Sequence, residues 1–151
     1  MFKLRFTGTR LAATLALAGA LGGQAAAADE ALTDGRVATC SAALKTQADQ
    51  LAEKVKAGDK EAERQLRTTW EHGLALVSAA YLNGLRDEAK AQALLKQAQD
   101  VQADWPAEEL ARVQQGCHEE GEQILQRASG LQHFVVEKLA RKKVDRAKQA
   151  G

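Results

Sequence analysis

The chain carries a single proline, Pro106, and it stands where a helix would begin rather than inside one. With no proline elsewhere, long helices meet no built-in break. No stretch shows the strict apolar and polar alternation of a half-buried strand, so the periodicity argues against a sheet-built fold. Aromatic residues make up only 4% of the chain, so a core must be assembled from Leu, Val and Ala on closely spaced helices.

Signatures of chemistry are equally sparse. Covalent haem attachment needs Cys-x-x-Cys-His, so that two thiols capture the vinyl groups and His binds iron. Gly116-Cys117-His118 supplies only half of that, and the one methionine, Met1, leaves no Met/His axial pair in the body of the chain. There is no Gly-x-Ser-x-Gly elbow and no glycine loop to cradle a phosphate. Ser41, Ser78 and Ser129 all fall within expected helices, away from the rigid turn that an activated nucleophile requires. A non-enzymatic protein without a cofactor is expected.

What is present begins at the N-terminus. Lys3, Arg5 and Arg10 precede an apolar stretch from Leu11 to Leu21, and small residues run from Ala25 to Ala28. This reads as a secretory signal peptide over 1–28, cleaved after Ala28. The apolar stretch falls short of the ~20 residues that span a bilayer. No cysteine for lipid attachment and no Arg-Arg pair accompanies it, so general secretion to the periplasm is expected. Residues 29–151 then form a single helical domain.

Loss of Lys3, Arg5 and Arg10 from the 21 basic residues leaves 18 against 20 acidic ones, a net charge of −2. That balance excludes a dedicated nucleic-acid binder, which neutralises many phosphates. The charge is unevenly spread: residues 137–151 hold Lys138, Arg141, Lys142, Lys143, Arg146 and Lys148 against Glu137 and Asp145. The two cysteines, Cys40 and Cys117, pair in an oxidising compartment, and closing so long a loop contributes about 4 kcal/mol from chain entropy.

Apolar residues recur at helical spacing throughout. Val37, Cys40, Leu44, Ala48, Leu51 and Val55 place a first helix over 36–57, stopped by Gly58. Asp59 offers an N-cap to a second helix, whose stripe of Ala62, Leu66, Trp70, Leu74, Val77 and Tyr81 runs to the Asn83-Gly84 turn. Gly73 on that stripe suggests a close helix approach. A third helix starts near Arg86 or Asp87. A fourth opens at Pro106 as its first helical residue, with Leu110, Val113, Cys117, Gly121, Ile124, Ala128, Leu131, Val135 and Leu139 in unbroken phase. The fold expected is an all-α bundle of four or five helices in antiparallel hairpins, with one disulfide and a basic C-terminal helix.

If short loops make successive helices alternate in direction, the fourth runs antiparallel to the first with Cys117 facing Cys40, which leaves the stripe from Ile124 to Leu139 overhanging the bundle. It must fold back near Gly130 or bury itself against a second molecule. Residues 131–151, with Phe134, Val135, Leu139, Arg141, Lys142, Lys143 and Arg146, form the candidate interaction surface. A partner protein or an envelope assembly is the expected use, with a weak contact to an anionic membrane and a homodimer as further readings. A small-ligand or metal carrier and a stress chaperone are the alternatives. His118 and Glu122 stand one turn apart on a helix, but zinc takes three or four ligands, and His72 and His133 read as isolated. No metal site is assigned.

Overall fold

The computed structural model describes residues 32–150, so the expected signal peptide and its cleavage site lie outside the described residues. Five helices follow one another: α1 (Asp34–Lys56), α2 (Lys60–Leu82), α3 (Glu88–Gln102), α4 (Ala107–Arg127) and α5 (Gly130–Gln149). None of the described helices is long and apolar enough to cross a membrane.

The helix ends follow local chemistry. Asp59 accepts from the backbone N–H groups of Glu61 and Ala62 and so caps α2, while Asp87 accepts from Lys90 and caps α3. Both satisfy donors that the first turn of a helix leaves unpaired. Gly58 and Gly84 make the preceding turns with φ of 88° and 111°, a region that side-chain-bearing residues rarely adopt. Pro106 sits one position earlier than expected, as the residue that caps α4 rather than its first helical one.

The α1–α2 hairpin forms the centre. Along α1, Val37, Cys40, Ala42, Ala43, Leu44, Ala48, Leu51 and Val55 are all buried, because neighbours lie on several of its sides. α4 runs antiparallel to α1, with Arg36 beside Glu120, Cys40 bonded to Cys117, and Gln114 donating to the carbonyl of Ala43. α3 packs on α1, where Gln102 donates to the carbonyl of Thr39 at 2.8 Å.

The overhanging stripe resolves by folding back. Ala128 and Ser129 are extended, with ψ of 149° and 158°, and Ser129 forms a capping box with Gln132 that starts a new helix. α5 then returns antiparallel to α2, placing Val136 near Ala75, Lys143 over Trp70, and Lys148 against Glu63. Val144 joins Ala48, Leu51, Val55, Ala62 and Leu66 in one core cluster.

Two stripes differ from the sequence reading. On α2 the buried positions include Ala62, Leu66, Thr69, Leu76 and Ala80, while Val77 and Tyr81 stand 50% and 56% exposed. At 3.6 residues per turn, each step of four overshoots a full turn by about 40°, so successive fours walk off the buried face and alternating threes and fours stay on it. On α5 the buried residues are Val136, Ala140 and Val144, not Val135 and Leu139. The non-helical step at Ala128-Ser129 resets the phase, so a stripe counted across it has no physical continuity.

Candidate functional site

Two regions gather the chemistry of this chain. The first is the junction where α4 meets α1 and α2. Cys40 and Cys117 are fully buried and joined, with Cα atoms 5.3 Å apart. Above them the Arg36 guanidinium engages Glu120, its Nε donating at 2.9 Å and a terminal nitrogen lying 2.8 Å from the same oxygen.

One turn further along α4, Gly121 lets the backbones meet. A Cβ there would stand 2.6 Å from the Cβ of His72 and 2.8 Å from its Cα, closer than such atoms pack. Gly73, the glycine singled out from the sequence, is not the contact point: a Cβ there meets only Leu44 Cδ1 at 3.9 Å.

This close approach carries His72 to His118, three residues before Gly121. Their Nδ1 atoms lie 2.9 Å apart, and His118 Nε2 lies 2.7 Å from Gln47 Oε1 on α1. A neutral imidazole has one N–H. Because the Gln47 oxygen accepts, His118 carries its proton on Nε2 and presents a bare Nδ1, to which His72 Nδ1–H donates. Burial pushes the pKa of both rings down, opposed at His72 by the charge of Glu122 and reinforced at His118 by His72. Both rings are therefore held neutral near pH 7.

His72, which read as isolated, is thus joined in space to His118 across 46 residues of sequence. On the other side of α2, Glu71, His133 and Glu137 line one shallow pocket, and burial raises the Glu71 carboxyl pKa. Among the described residues, no three His, Cys, Asp or Glu side chains converge as a ready metal centre.

The second region is the outer face of α5. Leu131, Phe134, Val135 and Leu139 are 73%, 60%, 45% and 45% exposed. Lys138 lies over the Phe134 ring at 5.9 Å, and Lys142 and Arg146 continue the same face one and two turns on, as the helical repeat requires. Arg141 is drawn to Glu137 at 2.7 Å, and Lys143 covers Trp70 at 4.8 Å. The structure therefore brings together Phe134, Val135, Leu139, Lys142 and Arg146 of the expected surface and turns Lys143 toward the bundle.

A groove of about 380 Å³ also opens between α1, the end of α2 and α3. Val37, Val77, Tyr81, Leu85, Leu94 and Leu95 line it, together with Ser41, whose hydroxyl is buried without a hydrogen-bond partner. No family model, curated protein or solved structure matches this chain significantly.

Proposed function

We propose that this protein is exported to the periplasm and acts there without catalysis, binding a partner protein through the outer face of α5. The observation that carries the reading is the double-sided character of that helix. Val136, Ala140 and Val144 already anchor it to the bundle, yet Leu131, Phe134, Val135 and Leu139 form a second apolar strip on the opposite side. Exposed apolar residues scattered singly need no explanation, but a contiguous strip beside charge marks an interaction site.

The partner suited to this face is a protein with an apolar ridge and an acidic end. The apolar strip occupies the first half of the helix with Lys138 lying over Phe134 beside it, and Lys142 and Arg146 concentrate positive charge on the second half. A helix lying on a bilayer instead carries its basic residues along a polar face over its whole length. Export is supported by the buried disulfide, which persists in oxidising compartments.

A photo-crosslinking residue placed at Val135 or Leu139 in cells that make the protein tests the reading. One protein adduct at these positions and none at Glu53 is expected, lost in the K142E/R146E variant. Leu139→Glu also abolishes the adduct while changing stability by less than about 0.5 kcal/mol, as exposed substitutions do. A lipid adduct, an adduct with a second copy of the chain, or no adduct overturns the proposal.

A second reading rests on the groove beside Ser41, whose volume lies in the range of small-ligand pockets, about 300–1,000 Å³. Native mass spectrometry of protein isolated from cells would reveal a bound apolar molecule with one polar group, removed by Val77→Trp. A mass equal to that of the bare chain dismisses it.

A further inference from the structure

We propose that His72 and His118 bind a divalent transition-metal ion, Cu(II) in preference to Ni(II) or Zn(II), between helices α2 and α4. The two Nδ1 atoms face each other at 2.9 Å. That distance is the N–H···N hydrogen bond of the metal-free pair, so an ion entering here replaces the bridging proton and the rings turn until both Nδ1 lone pairs converge on it. Imidazole suits Cu(II), Ni(II) and Zn(II) alike, and Cu(II) binds a given nitrogen site the most tightly of the three.

The surroundings of the pair match those of metal-bound histidine. A ligating imidazole typically donates its second N–H to a carbonyl, which fixes the ring and leaves the other lone pair for the metal. Gln47 Oε1 accepts from His118 Nε2 at 2.7 Å in this way and aims the bare Nδ1 of His118 at His72. Gly121 holds the two backbones at the required separation.

Among the described residues no third His, Cys, Asp or Glu converges on the pair, so a third protein ligand would have to swing in, and Glu122 is placed to do so. It stands one turn after His118, its side chain is exposed, and its charge already acts on His72. Its carboxylate now accepts a long 3.3 Å bond from Gln126 and must turn away from it to reach the ion. Water fills the remaining positions, since both rings are only half-buried.

Metal binding from the neutral state releases no net proton. His72 gives up the proton on Nδ1 and takes one on Nε2, so both Nδ1 lone pairs become available. In acid each protonated ring must lose a proton first, and affinity falls.

The test is Cu(II) added to chelator-stripped full-length mature protein, followed by electron paramagnetic resonance and calorimetry. One Cu(II) per chain is expected, with hyperfine structure from two nitrogens, and weaker Ni(II) and Zn(II) binding. His72→Gln and His118→Gln each remove the two-nitrogen pattern, while His133→Gln leaves it unchanged. Gln47→Leu keeps the pattern and weakens binding about tenfold to a hundredfold, which separates ligation from a merely structural role. A one-nitrogen spectrum of the unaltered protein overturns the proposal whatever the variants do. So does Cu(II) affinity unchanged in the H72Q/H118Q variant, since the ion is then held elsewhere, for instance at the amino terminus.

Discussion

Helices α4 and α5 are consecutive and nearly equal in length, yet they are fastened to the α1–α2 hairpin in different proportions. α4 fully buries only Cys117 and Gly121, packs Val113 and Ile124 against the Leu44–Leu76 cluster, and is fixed in register by directional groups: the disulfide, Arg36 with Glu120, Gln114 on a carbonyl of α1, and the His72–His118–Gln47 chain. α5 buries Val136, Ala140 and Val144 and adds an ion pair and a cation over Trp70 at its outer end. Directional ties fix a helix at one place and register but depend on redox state and pH. Apolar contacts depend on neither, and they require only one side of the helix, which leaves the other exposed.

The disulfide gives the largest expected separation between the two. Cys40→Ser with Cys117→Ser should lower unfolding free energy by about 3–5 kcal/mol, the range for a native bridge closing a long loop. Urea melts measure the loss. Hydrogen exchange locates it: amides of α4 should lose protection well before those of α5. Equal loss in both helices would mean that α5 depends on α4 and would break the comparison.

Next in size is the contact between backbones. Gly121→Ala must push His72 aside, and overpacking of this kind costs about 1–3 kcal/mol. Because the clash meets the Cα and carbonyl oxygen of His72, no rotamer change relieves it. Gly73→Ala, facing only Leu44 at 3.9 Å, should instead stabilise by up to about 1 kcal/mol through helix propensity. Thermal melts of the two single variants should move in opposite directions.

These two glycines show what was legible in the sequence. The all-helical class and the helix ends at Asp59, Gly58 and Asp87 follow from local rules that act within a turn or two, while the Cys40–Cys117 bond, 77 residues apart, follows from there being two cysteines to pair. Which glycine admits a neighbouring backbone depends on where two helices cross, and sequence spacing does not contain that information. The His72–His118 pair was hidden for the same reason: His72 read as isolated and His118 as a neighbour of Glu122 until Gly121 brought the helices together. The break before α5 is a different case, because Ser129 followed three residues later by Gln132 is a capping-box signal that lies openly in the chain. Reading an unbroken apolar phase through it carried Val135 and Leu139 into one stripe with the buried Cys117 and Gly121, although both residues also stood on the expected exposed surface.

That cap sets the next prediction. Ser129→Ala removes an acceptor for the Gln132 N–H and should cost about 1 kcal/mol. The loss belongs to the first turn of α5, so exchange should quicken there while α4 stays protected. A uniform change across both helices would show that the break is set by packing of Val136 and Ala140 rather than by the cap.

The smallest effect expected is that of pH, and its sign follows from the histidines. Both rings have folded pKa values below the ordinary 6.5, so between those values and 6.5 the unfolded chain binds more protons. Stability should therefore be full above pH 6.5, decline as pH falls below it, and level off once the folded rings also protonate. Glu122 opposes the shift at His72, and Gln47 is neutral, so no counter-charge on α1 cancels it. Glu71 works in the other direction at lower pH: its raised pKa lets the folded state take up a proton first, which restores stability just above its ordinary 4.5. Denaturant midpoints measured from pH 7.5 to 5.5 should thus fall for the unaltered chain and flatten for the H72Q/H118Q variant. If the decline persists in that variant, the pH sensitivity in this range lies outside the α4 junction, and the contrast between α4 and α5 above pH 5.5 loses its basis.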